Sequence, residues 1–451
     1  MKTINSAEVI ANSKFNRFHL SLLIWSFLII LFDGYDLVVY GTVVPILIEK
    51  WGLTPVEAGA IGSYGLFGMM FGAILFGTLA DRIGRKNVIA ITLILFSLFT
   101  FLCGFAETPT MFSTYRFLAG LGLGGIMPNV IALLTDYAPK TMRSMIVSVV
   151  LCGYSVGGIL APLLGIFIMP KFGWESIFWF AGLPLVMLPI MYKQLPETAS
   201  HLIRTGKRDK LVATLLKVNP GMDIQQNDEF EELREKDTKV PIIGLFQDKR
   251  ALSTVMFWIA FFSCLLMVYG LNTWLPKLMI DAGYGLNSSL AFLVTLQGGA
   301  IIGTLIIGRL CDKYGSKKML VPMYASGAIA LTLLGFSGNS FVIYLLVAIA
   351  GAATIGAQNI VQAYVSQYYP PSIRSTALGM ASGIGRIGGM LGPLLGGFLL
   401  SVSLPIHLNF IAFAIPGLLA AAALAIVPVR NAHSNKVDTN TRRDSINDAA
   451  V

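Results

Sequence analysis

The chain has 451 residues, 55% of them hydrophobic and only 13% charged, with a mean hydropathy of +0.72 and a formal net charge of +9. A soluble domain carries roughly 25% charged residues, so this composition excludes one and points to a protein solvated by lipid. The basic residues lie in short connections between apolar runs rather than on one face, so the lipid bilayer is the expected partner and nucleic acid is not.

Apolar runs occupy residues 20–44, 57–80, 88–107, 110–135, 144–169, 174–194, 251–280, 287–311, 319–338, 340–367, 375–401 and 405–428. Each approaches the roughly 20 residues that a helix needs to cross about 30 Å of hydrocarbon, whereas the strands of a membrane barrel are about half as long and alternate. The expected fold is an all-α membrane protein of twelve transmembrane helices. It divides into an N-terminal segment (1–19), a six-helix bundle (20–194), a central linker (195–250), a second six-helix bundle (251–428) and a tail (429–451). Lys14 and Arg17 precede a first run too long for a signal-peptide core, so that run is expected to stay as a spanning helix.

In chain order, the first run holds two carboxylates, Asp33 and Asp36, in Asp33-Gly34-Tyr35-Asp36. An ionised group at the centre of a spanning helix costs about 2.5–3.5 kcal/mol, so each needs a partner or a task. Three residues apart on a helix, they stand about 60° apart around the axis and about 4.5 Å apart along it, on one face. After the second run comes a polar loop, Gly77-Thr-Leu-Ala-Asp81-Arg82-Ile-Gly84-Arg85-Lys86, and the fourth run begins with Arg116 followed by Gly120, Gly122 and Gly124. With a cytoplasmic N-terminus the first run leads outward from about residue 20, so both aspartates lie in its outer half, and the fourth leads inward from about residue 110, so Arg116 lies at a similar depth. An ion pair between the two helices is reachable, with Gly34, Gly120 and Gly124 permitting their close approach. Two acids against one base leave a carboxylate over, which makes Asp33, Asp36 and Arg116 the candidate proton-coupling group.

The central stretch carries both signs of charge and reads as a solvated, partly helical linker. In the second half, Arg386 lies eleven residues into its run, about 16 Å deep and near the midplane. A guanidinium there offers a fixed charge and a fork that fits a carboxylate, which makes it the candidate substrate anchor. Tyr35, Asn129, Tyr154, Asn272, Gln297, Gln358, Asn359 and Gln362 are the other polar residues that could line a cavity, although each alone also reads as an interhelical hydrogen bond. The tail after 429 has no apolar period and is expected to be disordered.

The second half repeats the first. The loop returns as Gly308-Arg-Leu-Cys-Asp312-Lys-Tyr-Gly315-Ser-Lys317, offset by 231 residues (308−77), and the same shift takes Pro139 and Arg143 onto Pro370 and Arg374. It also takes Gly157, Gly158, Pro162 and Gly165 onto Gly388, Gly389, Pro393 and Gly396. Six helices return the chain to its starting side, so the two bundles form a parallel repeat about an axis along the membrane normal. The charged positions escape the repeat: Asp33, Asp36 and Arg116 shift onto Cys264, Met267 and Val347, and Arg386 shifts back onto Ser155. A cluster present in one half only is not a requirement of the bundle.

The distribution of Lys and Arg sets the orientation. With a cytoplasmic N-terminus, Arg82, Arg85, Lys86, Lys140, Arg143, Lys313, Lys317, Lys318 and Arg374 fall inside and only Lys50, Lys171 and Lys277 outside, so both termini are expected in the cytoplasm. Cys103, Cys152, Cys264 and Cys311 stand singly with no metal-ligand spacing, so no metal and no cofactor is expected. No nucleophile with a nearby base and no phosphate loop is visible, so an enzyme is not expected.

The duplicated loop, the six-plus-six runs and Arg116-x-x-x-Gly120-x-Gly122-x-Gly124 resemble the major facilitator superfamily, and Asp33-Gly-Tyr-Asp36 resembles its aromatic acid:proton symporters. The resemblance implies that Gly77, Asp81, Arg82, Gly84, Arg85, Lys86, Asp312, Gly315, Arg143 and Arg374 belong to gating loops that latch the halves in one access state. It further implies a symporter that imports a small aromatic carboxylate of the benzoate or hydroxybenzoate class with a proton, in a bacterial-type inner membrane. The alternatives are a carrier of another organic anion such as muconate and a drug:proton exporter. Exporters of the superfamily carry Gly-Pro-x-x-Gly-Gly in the fifth helix; here that element is Gly392-Pro393-Leu-Leu-Gly396-Gly397 in the eleventh, which weakens the exporter reading. The sequence sets no oligomeric state.

Overall fold

The computed structural model describes residues 3–222, 229–230, 242–336 and 338–428; the expected tail at 429–451 and part of the linker lie outside the described residues. The described residues are almost wholly helical. The helices are α1 (Ser6–Ala11), α2 (Arg17–Trp51), α3 (Pro55–Ile83), α4 (Arg85–Cys103), α5 (Pro109–Tyr137), α6 (Arg143–Phe167), α7 (Met169–Phe172), α8 (Glu175–Phe180) and α9 (Leu183–Gln194). There follow α10 (Ala199–Arg204), α11 (Arg208–Val218), α12 (Ala251–Asp281), α13 (Leu286–Tyr314), α14 (Ser316–Leu334), α15 (Ser340–Gly351), α16 (Ala357–Tyr368), α17 (Pro371–Ser401) and α18 (Ile406–Ile426). A π-helical turn, Ala352–Gly356, joins α15 to α16 without a break in the rod. Two-residue strands β1 (Thr3–Ile4) and β2 (Glu229–Phe230) pair in parallel.

Eleven of the described helical segments are long and apolar enough to span a membrane. The twelfth expected span is α14, which starts on Ser316, Lys317 and Lys318 and so offers a shorter apolar stretch. The sixth run is not one rod, since α8 and α9 are separated at Ala181 and Gly182. Helix starts follow local chemistry. Thr54 and Glu57 form a reciprocal capping box at α3, with Thr54 N donating to Glu57 Oε2 at 2.8 Å and Glu57 N to Thr54 Oγ1 at 3.3 Å. Thr108 accepts from Met111 N ahead of α5, where Pro109 takes the first helical position. Gly84 and Gly315 open α4 and α14 with φ of +92° and +91°, a conformation that favours glycine.

The chain forms two compact units, one of Met1–Val43 with Tyr64–Asp237 and one of Val44–Ser63 with Thr238–Val451. The end of α2 and the start of α3 thus group with the second unit. There Ser63 Oγ donates to Met390 O at 2.6 Å, and a Cβ on Gly397 would overlap the Pro55 carbonyl.

Inside each unit the offset of 231 is visible as geometry. A Cβ on Gly157 would overlap the carbonyl oxygen of Leu31, and one on Gly388 that of Phe262. Gly120 sits in the same way on Gly65 O and Gly351 on Leu296 O, as do Gly68 on Phe117 O and Gly299 on Ala348 O. Both members of each of these three pairs shift by 231, so the same backbones touch at the same points in both units. Without a Cβ the backbones approach to van der Waals contact, which is how helices associate where lipid removes the hydrophobic drive.

The linker departs from its expected solvation. Leu211, Leu215 and Val218 of α11 are buried and join Ile10 of α1 and Leu202 of α10 in the core of the first unit. Their spacing of four and three makes one apolar helix face. Asn16 fastens this face by donating from Nδ2 to Lys217 O at 3.0 Å and Val218 O at 2.9 Å, satisfying carbonyls at the end of α11.

Candidate functional site

The charged group in the first unit is built from three helices. Arg116, two turns into α5, puts Nη1 2.7 Å from Asp36 Oδ1 of α2, and both side chains are almost fully buried. The same carboxylate oxygen accepts the Thr100 hydroxyl of α4 at 2.7 Å. The Tyr40 ring, one turn beyond Asp36, lies with its centroid 6.0 Å from the guanidinium carbon. Asp33 is buried one turn away on the same helix. Charge-assisted bonds of this kind are about twice as strong as neutral ones, and in a low-dielectric interior the pair persists only while both members keep their charge.

Arg116 is not saturated: its Nε is buried with no hydrogen-bond partner among the described residues. Glycine makes room for it, since a Cβ on Gly65 of α3 would lie 3.3 Å from Nη2. The glycines near the pair work differently from expectation. Gly120 and Gly124 hold α5 against α3, at Gly65 and Met69, and not against α2. Gly34 holds α2 against α6, where its Cβ would overlap the Tyr154 carbonyl. The pair itself spans the α2–α5 distance with side-chain length, because an arginine is long enough to need no glycine there. Thr100 and Gly65 were not singled out by sequence. A lone threonine in an apolar run carries no signal, but the spacing Gly65, Gly68, Gly72 is a legible small-residue face.

The remaining polar positions separate by what they touch. Tyr35 is fully buried, and its hydroxyl donates to Ile177 O at 2.5 Å while its ring packs near Phe32 and Phe180. Asn129 donates to Gly125 O at 2.7 Å, within its own helix. Tyr154 is half-buried on α6. In the second unit, Asn272 Nδ2 donates to Val268 O at 2.6 Å, and its Oδ1 accepts from Gln297 Nε2 at 2.9 Å. That order leaves Gln297 Oε1 as a buried acceptor with no partner among the described residues. Arg386 is half-buried at the centre of α17, and Gln358, Asn359 and Gln362 are half-buried on α16 directly after the π-turn.

The loop residues are placed at helix ends. Gly77 closes α3 together with Asp81 and Arg82, both exposed, while Arg85 and Lys86 are half-buried at the start of α4. Lys86 N donates to Glu197 Oε1 at 3.3 Å, and its Nζ lies 4.4 Å from the Tyr192 ring centroid. Glu197 thereby supplies in trans the capping acceptor that Gly84 lacks. Gly315 mirrors Gly84, Arg143 is exposed at the start of α6, and Arg374 is half-buried with Nε unpartnered among the described residues. Asp312 lies in α13, its side chain outside the description. The described residues hold no cluster of His, Cys, Asp or Glu suited to a metal.

Long apolar helices in two internally repeated sets, with Asp33, Asp36 and Arg116 buried at positions that the repeat does not share, define a polytopic membrane protein of the transporter class. The family model of the Major Facilitator Superfamily matches residues 26–303 and 288–447, and the chain belongs to that superfamily. It is 45% identical to the benzoate transport protein of Acinetobacter baylyi, over 98% of each chain. It is 37% identical to the gentisate transporter of Corynebacterium glutamicum, over 94% of this chain and 92% of that one. Among solved structures a D-xylose-proton symporter shares the fold with a TM-score of 0.70 at 18% identity, covering 90% of this chain and 97% of that one. The protein is a multi-pass membrane transporter and not an enzyme.

Proposed function

We propose that this transporter imports a small aromatic carboxylate of the benzoate or hydroxybenzoate class together with a proton, in a bacterial-type inner membrane with both termini cytoplasmic. The buried Asp36–Arg116 pair carries the reading of proton coupling. Protonating Asp36 removes the acid that faces a permanently charged guanidinium, and protonating Asp33 removes a buried negative charge one turn away on the same helix. That weakens the tie between α2 and α5 and frees them to shift, and a few kcal/mol of change in such a pair is enough to shift a two-state equilibrium. Similarity to benzoate and gentisate transporters supports the substrate class.

Arg386 is assigned the substrate carboxylate, since it stands at the centre of a spanning helix at a position where the first half has Ser155. A guanidinium holds a carboxylate through two parallel hydrogen bonds, which fixes orientation as well as charge. The proposed order is anion binding at Arg386, proton uptake on α2, and passage to the opposite access state.

Uptake of radiolabelled benzoate, with competition by hydroxybenzoates and muconate and with or without a protonophore, tests the reading. Accumulation that collapses with the protonophore and is competed by aromatic acids is expected. Uptake that remains driven by pH in both Asp33→Asn and Asp36→Asn removes the proton role of these residues, and preference for muconate moves the substrate to ring-opened acids.

A further inference from the structure

The register shared by the two units is interrupted at the turn that joins α15 to α16. Gly120 to Gly125 of α5 are α-helical, whereas their counterparts, Gly351 to Gly356, run into the π-turn Ala352–Gly356. The sequence difference in this stretch has two parts. Gly122 packs on Phe96, and its counterpart Ala353 packs on Gly327, so the missing glycine on one helix is supplied on the other. Gly124, whose Cβ would overlap Met69 O, has Ile355 as its counterpart, and nothing offsets that exchange. The oxygen in the way belongs to the backbone of position 300, which no side-chain change can remove. An α-helical path would drive the Cβ of Ile355 into Ala300 O.

The turn widens instead. Gly356 rotates to serve two positions at once: its Cβ would lie 3.2 Å from Ala300 O and 3.3 Å from Thr304 N, the counterparts of the partners of Gly124, and 3.4 Å from Met323 Cε, the counterpart of a partner of Gly125. Thr354 bonds its hydroxyl back to Ala350 O at 2.8 Å and Gly351 O at 3.3 Å, and its own carbonyl accepts the Cys264 thiol of α12 at 3.5 Å. Cys264 is the counterpart of Asp33. A π-turn within an α-helix is rare, is frequent at functional sites and is one of the few causes of a kink.

We propose that Ala352–Gly356 is a hinge with two packings, the wide turn seen here and an α-helical one that forms only when α13 steps back and takes Ala300 O away from Ile355. Closing the wide turn removes about one residue of register, so α16 turns by up to about 100° against α15. Gln358, Asn359 and Gln362 are carried on the segment that turns. Movement of α13, which carries Gln297, and rotation of α16 are then one event, coupled by a clash between Ile355 and a carbonyl. The inference goes beyond the proposed function and does not depend on which acid is carried.

Hydrogen–deuterium exchange on the full chain in lipid nanodiscs tests it. In the wild type, amides of residues 352–358 should exchange at least 10-fold faster than those of the counterpart segment 121–127. Ile355→Gly removes the Cβ and should bring the two segments to similar protection, whereas Ile355→Ala keeps the Cβ and should leave the contrast. Uptake should follow, with Ile355→Gly lowering turnover several-fold at little-changed KM. Equal protection of the two wild-type segments overturns the hinge, and so does an Ile355→Gly variant that exchanges like Ile355→Ala. A contrast that follows this pattern in a protein indifferent to benzoate supports the hinge and removes the aromatic-acid reading alone.

Discussion

Asp36 Oδ1 receives Arg116 Nη1 at 2.7 Å and the Thr100 hydroxyl at the same distance, so one carboxylate oxygen ties α2 to both α4 and α5. Removing one member strands the other. Asp36→Asn should lower stability by about 3–5 kcal/mol through the uncompensated guanidinium, and abolish uptake. The double variant Asp36→Asn with Arg116→Leu should recover much of the stability and none of the uptake. Thermal unfolding in detergent alongside uptake separates these effects, and a stable, active Asp36→Asn would count against both parts.

Thr100 offers a milder intervention. Thr100→Ser keeps a donor and should transport like the wild type. Thr100→Val loses a bond to a charged group, about 1.5–3 kcal/mol, and should reduce uptake at least several-fold. Equal activity of the two would mean that the hydroxyl does not matter to the carboxylate.

Arg386 should answer to geometry as well as charge. Arg386→Lys keeps the charge and loses the fork, so KM for the aromatic acid should rise at least 10-fold, and Arg386→Gln should leave no measurable uptake. A lysine variant with unchanged KM would exclude bidentate recognition.

Tyr35 lies within the aspartate motif, yet its hydroxyl is engaged by Ile177 O. Tyr35→Phe should therefore cost about 1–3 kcal/mol by orphaning a buried carbonyl while the order of competing acids stays unchanged. A changed order in the competition assay would place Tyr35 at the substrate after all.

Glycine contacts make a further prediction. Gly34→Ala should force α2 off α6 and lower the unfolding temperature sharply, because its Cβ meets a backbone carbonyl that cannot yield. Gly379→Ala on α17, where the same atom meets nothing within 4 Å, should be neutral or gain about 1 kcal/mol from helix propensity. Scanning calorimetry or dye-monitored melting of the two variants checks the contrast.

Much of the molecule was legible because membrane solvation writes itself into composition. Span length, the gapless offset of 231 and the exclusion of Asp33, Asp36 and Arg116 from it all follow from residue identities alone, since lipid tolerates few charges and each must be explained. The linker reads as solvated because its mixed charges mask the apolar face formed by Leu211, Leu215 and Val218, which packs only once the helix is folded. The partner of the Tyr35 hydroxyl, Ile177 O, is not visible in the sequence because a hydroxyl in an apolar run finds its acceptor only when helices pack.

The sequence by itself determined the spans, the parallel duplication and the half-specific charges, because hydropathy, periodicity and register are properties of residue order. Only the tertiary structure decided that Asp36 is a partner of Arg116, that Gly34 serves α6 rather than α5, and that Ala352–Gly356 is a π-turn. Those outcomes depend on which backbone atom stands opposite a given Cβ, a distance of a few ångströms set by the packing of several helices at once.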